Sequence, residues 1–137
     1  MSKREDILVA LLAVLQAVDP AVARNVALAP EGAFATQRDG DCDLVEEFFG
    51  GAGSIYEFTM TPTLIVVVVG EDIDAALTAR VDAFVAALEA VDDLGGLITA
   101  IRPQPAEFAP EELFGVEDRM GATVAVEIDF WSAHSAG

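Results

Sequence analysis

The sequence predicts an α+β fold: two helices packed on one face of a four- to five-stranded mixed sheet, with a long acidic flap. Three observations carry this expectation. Apolar residues recur at helical spacing in residues 7–18 and again in 77–91. Residues 64–69, Leu-Ile-Val-Val-Val-Val, form an unbroken apolar run that suits a strand covered on both faces. Residues 121–131 alternate, with Val124, Val126, Ile128 and Phe130 on one side and Thr123, Glu127 and Asp129 on the other.

Taken in order, Ser2 followed by Glu5 is a capping-box pattern. Ile7, Leu8, Leu11, Leu12, Val14, Leu15 and Val18 then supply a broad apolar helix face, and Pro20 ends it. Residues 22–28 read as a weak strand, Pro30 and Gly32 as a turn, and 33–38 as a further strand. Residues 39–54 are acidic, then carry Phe48 and Phe49, then Gly50, Gly51 and Gly53; they read as a long loop or flap. Residues 55–69 give the strongest strand pattern, with Tyr56, Phe58 and Met60 alternating with polar neighbours. Pro62 cannot donate to a ladder and calls for a bulge, an edge or a break. After Gly70, Glu71 or Asp72 caps a second helix whose face holds Leu77, Val81, Phe84, Val85, Leu88 and Val91; Gly95 and Gly96 stop it. Residues 97–102 read as a short strand. Pro103, Pro105 and Pro110 make the next connection irregular, with one helical turn near 111–114.

A chain of 137 residues is read as one domain, and a chain of this size buries about 68% of its unfolded surface. Seven basic residues against 24 acidic ones give a net charge of −17, which repels nucleic acid and anionic lipid and disfavours a DNA-gripping role. A solvated acidic surface is the plain explanation, and a salt-adapted host gives the same signature. Cys42 is the one cysteine, so no intrachain disulfide forms; Asp41 and Asp43 beside it oppose the thiolate and argue against a nucleophile. Lys3 and Arg4 before an apolar run resemble a leader, but Glu5 and Asp6 stand where a leader is positive, and the run reads as an amphipathic helix. No run reaches the roughly 18 apolar residues that span a bilayer.

Catalytic and metal motifs are weak. His134, the one histidine, stands near the C-terminus without a rigid orienting partner. Asp39, Asp41 and Asp43 resemble the opening of a calcium loop, but Leu44 stands where glycine is required and Gly50 where glutamate is required; a polar turn is the simpler reading. Gly50, Gly51 and Gly53 precede a strand and lack a following lysine, so they read as a hinge and not a phosphate cradle. The acid pairs at Glu46-Glu47, Asp92-Asp93 and Glu111-Glu112 read as solvated faces. Phe48 and Phe49 either anchor a partner or fold back into the core. Tyr56 and Trp131 suit either a core edge or an interface.

The opening helix, the Gln37-Arg38-Asp39-Gly40-Asp41 turn and the strand from Tyr56-Glu57-Phe58 to Val69-Gly70 together resemble the tail terminator proteins (minor tail protein U-like, or tail completion proteins) of long-tailed phages and gene transfer particles. Leu94-Gly95-Gly96-Leu97-Ile98 and the closing Ala122-Thr123-Val124-Ala125-Val126 strand continue the resemblance, which spans most of residues 1–137 as a single domain. It implies a non-enzymatic virion subunit of a hexameric ring that caps the tail tube and meets a head-side connector, assembled in the host cytoplasm. It implies no cofactor, no metal and no membrane, and DNA only in transit through the lumen. Partner-interface candidates are Phe48, Phe49, Tyr56 and Trp131; acidic lumen or flap candidates are Asp39, Asp41, Asp43, Glu46 and Glu47. A small-molecule-binding regulatory domain and a carboxylate-based enzyme are the alternatives.

Overall fold

The computed structural model describes residues 2–25, 34–50, 53–69, 73–109 and 119–133. Helix α1 spans Lys3–Val18, and the Ser2 hydroxyl oxygen accepts the Glu5 backbone N–H at 3.1 Å, as the capping pattern requires. The Glu5 carboxylate does not complete the reciprocal bond; it is taken by Arg24. Ile7, Leu8, Leu11 and Leu15 are buried, whereas Val9 and Val18 are exposed, so the apolar face is narrower than the sequence suggests. The helix closes where the Asp19 backbone N–H bonds the Leu15 carbonyl, just before Pro20.

Strand β1 is the short Ala23–Arg24, β2 is Phe34–Gly50, β3 is Gly53–Val69 and helix α2 is Ile73–Glu89. Strands β4 (Ala100–Pro103), β5 (Glu107–Ala109) and β6 (Arg119–Ser132) complete the chain. The architecture is α+β, with six strands where four or five were expected. The sheet order is β1-β2-β3-β6-β4, and β5 pairs further along the same edge of β6. The β1–β2 pair is parallel and the others are antiparallel, so the sheet is mixed.

One sheet face carries Ala35, Phe58, Met60, Leu64, Val66, Val68, Ala122, Val124, Val126, Ile128 and Phe130. These pack with Leu77, Val81, Phe84 and Leu88 of α2 and with the buried side of α1. Phe58 and Phe130, cross-strand partners, stack at 5.3 Å inside this core. Gln37 is also on the inner face and only 1% exposed; its Nε2 donates to the Leu8 carbonyl at 3.0 Å, while its Oε1 has no partner.

The largest departure from expectation is residues 39–54. They are no flap: β2 and β3 run side by side as a hairpin that closes at the Gly50–Gly53 pair. At ~3.3 Å per residue each 17-residue strand is about 55 Å long, well beyond the usual strand. Pro62 does mark a bulge. The register shifts between Arg38 and Asp41, opposite Pro62, where no N–H is available to pair. Gly40 fills the bulge at φ +67°, and a Cβ there would stand 2.0 Å from the Thr61 carbonyl oxygen, so backbone approach as well as dihedral demands glycine.

Other departures are smaller. The strand expected at 97–102 begins only at Ala100, and Glu107–Ala109 pairs with β6 although prolines surround it. Helix α2 ends at Glu89, short of Val91 and of the Gly95-Gly96 stop expected from sequence; Leu94, Gly95 and Gly96 take positive φ in the turn beyond it. The turn at Pro30 and Gly32, the cap at Glu71 or Asp72, the helical turn near 111–114, Glu111-Glu112, Gly51 and His134 lie outside the described residues.

Candidate assembly surface

The outer half of the β2–β3 hairpin is built differently from the inner half. On β3, β6 continues as a partner only as far as the Tyr56–Ser132 pair, so beyond it the hairpin is two-stranded among the described residues. All of residues 43–49 are exposed. Leu44, Val45, Phe48, Phe49, Ile55 and Trp131 make up most of the large apolar side chains exposed among the described residues, and they gather here. Isolated two-stranded ribbons are marginal in water. The apolar residues therefore sit on the part of the sheet least supported by the rest of the fold.

Cross-strand register assigns the faces. Phe48 pairs with Ile55, Glu46 with Glu57, Asp43 with Thr59 and Asp41 with Thr61. All lie on the face turned away from the helices, as do Trp131 and Asp129 of β6. Phe48 lies flat on Trp131, with ring centroids 5.2 Å apart and planes within 3°. The end of β6 is held by Lys3, whose Nζ donates to the Trp131 carbonyl at 2.6 Å. Phe49 falls on the opposite face and is 81% exposed. Neither ring of the Phe48-Phe49 pair enters the core. Tyr56 shares the inner face and packs against the core.

The outward face is strongly acidic. Asp41, Asp43, Glu46, Glu57, Glu127 and Asp129 lie on it. Arg102 answers two of them, reaching Glu127 at 2.6 Å and Asp129 at 2.8 Å. Those two carboxylates, Glu127 first, raise the Arg102 pKa. The Thr59 hydroxyl donates to Asp129 at 2.7 Å. The stretch from Asp39 to Ala79 contains no lysine or arginine. Glu46 and Glu57 stand directly opposite each other, a like-charge pairing that disfavours the ladder.

The five acids grouped by sequence therefore separate. Asp41, Asp43 and Glu46 share the outward face, and Glu47 pairs with Tyr56 on the other. Asp39 serves the fold. Arg24 clamps it at 2.8 and 3.0 Å and also reaches Glu5 at 2.8 Å. The Arg24 hydrogen bond holds the Asp39 carboxyl below its ordinary range, and the same carboxylate raises the Arg24 pKa. Asp41 and Asp43 belong to a strand and not to a polar turn, and no metal-binding group of His, Cys, Asp and Glu occurs among the described residues. The Cys42 thiol pKa is raised, as expected, but burial is the main cause; Asp43 adds little and Arg4 opposes it.

Sequence reading missed Leu44, Val45, Ile55, Glu57, Glu127 and Asp129 as members of this surface. Only the register brings them to Phe48 and Trp131, and a segment read as a loop has no register.

The fold and this surface define an α+β protein with an apolar-tipped, acidic hairpin. No family model matches the chain, and no curated protein matches it. Among solved structures, the chain is similar to one titled as the virion of a native gene transfer agent particle. The identity is 17%, over 88% of this chain and 86% of that one, with a TM-score of 0.43. It is also similar to the type 4 fimbrial biogenesis protein PilO from Pseudomonas aeruginosa, with 8% identity over 93% of this chain and 68% of that one and a TM-score of 0.42. Scores of this size at these identities leave both as likenesses only. No helix among the described residues is long and apolar enough to cross a membrane.

Proposed function

We propose that the chain is a structural, non-enzymatic subunit of a phage-type particle. Copies form a hexameric ring that terminates the tail tube and joins it to the head-side connector. The observation that carries this is the gathering of Leu44, Val45, Phe48, Phe49, Ile55 and Trp131 at the exposed outer hairpin. Phe48, Ile55 and Trp131 on one face and Leu44 and Phe49 on the other leave apolar surface beside charge, and such surface is what protein partners bury. Stacked Phe48 and Trp131 are residue types that anchor such contacts. The sequence resemblance to tail terminators supplies the kind of assembly. In a ring, the outward acidic face suits a lumen through which DNA slides, because carboxylates repel phosphates and prevent sticking.

Electron microscopy of the purified protein, alone and with the tail tube protein, tests this reading. Six-fold rings seated on tube ends are the expected result. Single molecules beside bare tube ends overturn it.

A second reading, a regulatory domain that binds a small molecule, is favoured by one feature. An open groove of about 390 Å³ lies between α2 and the segment joining β4 to β5, lined by Val81, Val85, Pro103, Pro105 and Phe108. Ligand-dependent thermal stabilisation in a metabolite screen is its test.

A further inference from the structure

The geometry points to the outer edge of β2, residues 41–49, as the docking site for a basic, extended segment of a partner protein, which pairs with it as an added strand. The inference rests on the assembly reading and specifies one of its partners.

Three observations converge on this edge. First, β1 covers β2 only at Thr36 and Gln37. Beyond Gly40, whose carbonyl accepts from Arg4, no strand among the described residues pairs with the outer side of β2. At ~3.3 Å per residue, residues 41–49 offer about 30 Å of unpaired backbone, enough for a typical strand. Main-chain bonds along such an edge give affinity, and alternate side chains give selectivity.

Second, the side chains on the edge combine charge with grease. Asp41, Asp43 and Glu46 point to one face and Glu47 to the other, interleaved with Leu44, Phe48 and Phe49. A partner strand with alternating Lys or Arg and apolar residues meets both sets.

Third, the strand is locally rich in acid and poor in base. No cation occurs from Asp39 to Ala79, and Glu46 faces Glu57 across the ladder. The same edge of a second copy does not supply the missing charge, since it carries the same acids and no lysine or arginine. Edge-to-edge pairing of two copies places acids against acids, a like-charge juxtaposition that disfavours it. The acids thus close the edge to copies of itself and leave it open to a cationic strand.

Hydrogen exchange with synthetic peptides tests this. The probes are a peptide of about ten residues alternating Lys with Val or Thr, and the same peptide with Glu for every Lys. The Lys peptide is expected to bind, to protect amides in residues 41–49 and to lose affinity with added salt. The Asp43→Lys/Glu46→Lys variant, changed only at exposed positions, is expected to bind it about tenfold or more weakly and to accept the Glu peptide instead. Equal binding of both peptides, binding of neither, or protection elsewhere overturns the inference. So does protection of the outer-edge amides of 41–49 that rises with concentration in the protein alone, which would mean that a strand of a second copy pairs there; contact between copies through the side chains of Phe49 and Trp131 leaves those amides free. Rings that form normally without Lys-peptide binding sink this inference and leave the ring; peptide binding by a protein that never forms rings does the reverse.

Discussion

Phe48, near the tip of one strand, lies parallel to Trp131 at the end of another, with centroids 5.2 Å apart and planes within 3°. Both rings stay partly open to solvent, at 37% and 39%. The stack joins the two-stranded tip of the hairpin to β6, whose end Lys3 ties to α1. It therefore holds the tip in place while leaving apolar surface outward. In a double-mutant cycle with Phe48→Ala and Trp131→Ala, the coupling should be about 1 kcal/mol, read from urea unfolding. Zero coupling would mean that the tip is not held by these rings.

Of the described glycines with positive φ, Gly40 alone has no room for a side chain. Gly40→Ala sets a Cβ against the Thr61 carbonyl in a backbone conformation already costly for alanine. Unfolding free energy should fall by about 2 kcal/mol or more, with loss of the bulge seen as changed amide shifts around Asp39 and Pro62.

The Arg24–Asp39 pair predicts a pH dependence. The folded pKa of Asp39 lies below the ordinary 3.8, with the Arg24 hydrogen bond as the main cause. Its contribution is therefore whole above pH ~4 and is lost as pH falls through the lowered value. Asp39→Asn should cost about 1 kcal/mol at neutral pH. The gap between wild type and variant should close in acid, as followed by urea titrations across that range.

Gln37 offers a gain. Its Oε1 is buried without a partner, and the Leu8 carbonyl it meets through Nε2 lies inside a helix. Gln37→Met keeps the volume, gives up a bond worth about 1 kcal/mol and removes an orphan acceptor that costs about 1–3 kcal/mol. Stability should stay level or rise by about 1 kcal/mol, measured by thermal unfolding.

Legibility in the sequence followed burial. Helix α1, helix α2 and β6 each bury one face, so period 3.6 or 2 shows in their residues, and the inward set Val124, Val126, Ile128 and Phe130 was readable outright; β3 alternates until Val66, Val67 and Val68, which are all buried, as its unbroken apolar run suggests. Pro62 announced the bulge that Gly40 fills. The outer part of β2 buries neither face, so Asp41 to Phe49 show no alternation of burial, and their acids and glycines read as loop. The same exposure that hid the strand makes it a candidate surface. Strand β5 was hidden differently: three residues among prolines are too few to show a period. Asp39 looked like its neighbours because its partner, Arg24, is distant in sequence.

The central claim is that the outer hairpin is where this protein meets its neighbours. Sedimentation mass of the wild type against a Phe49→Ser/Trp131→Ser variant, each alone and mixed with the tail tube protein, tests it most directly. The account predicts a closed multimer for the wild type and a folded, smaller species for the variant. Equal masses for the two proteins in both conditions would contradict it.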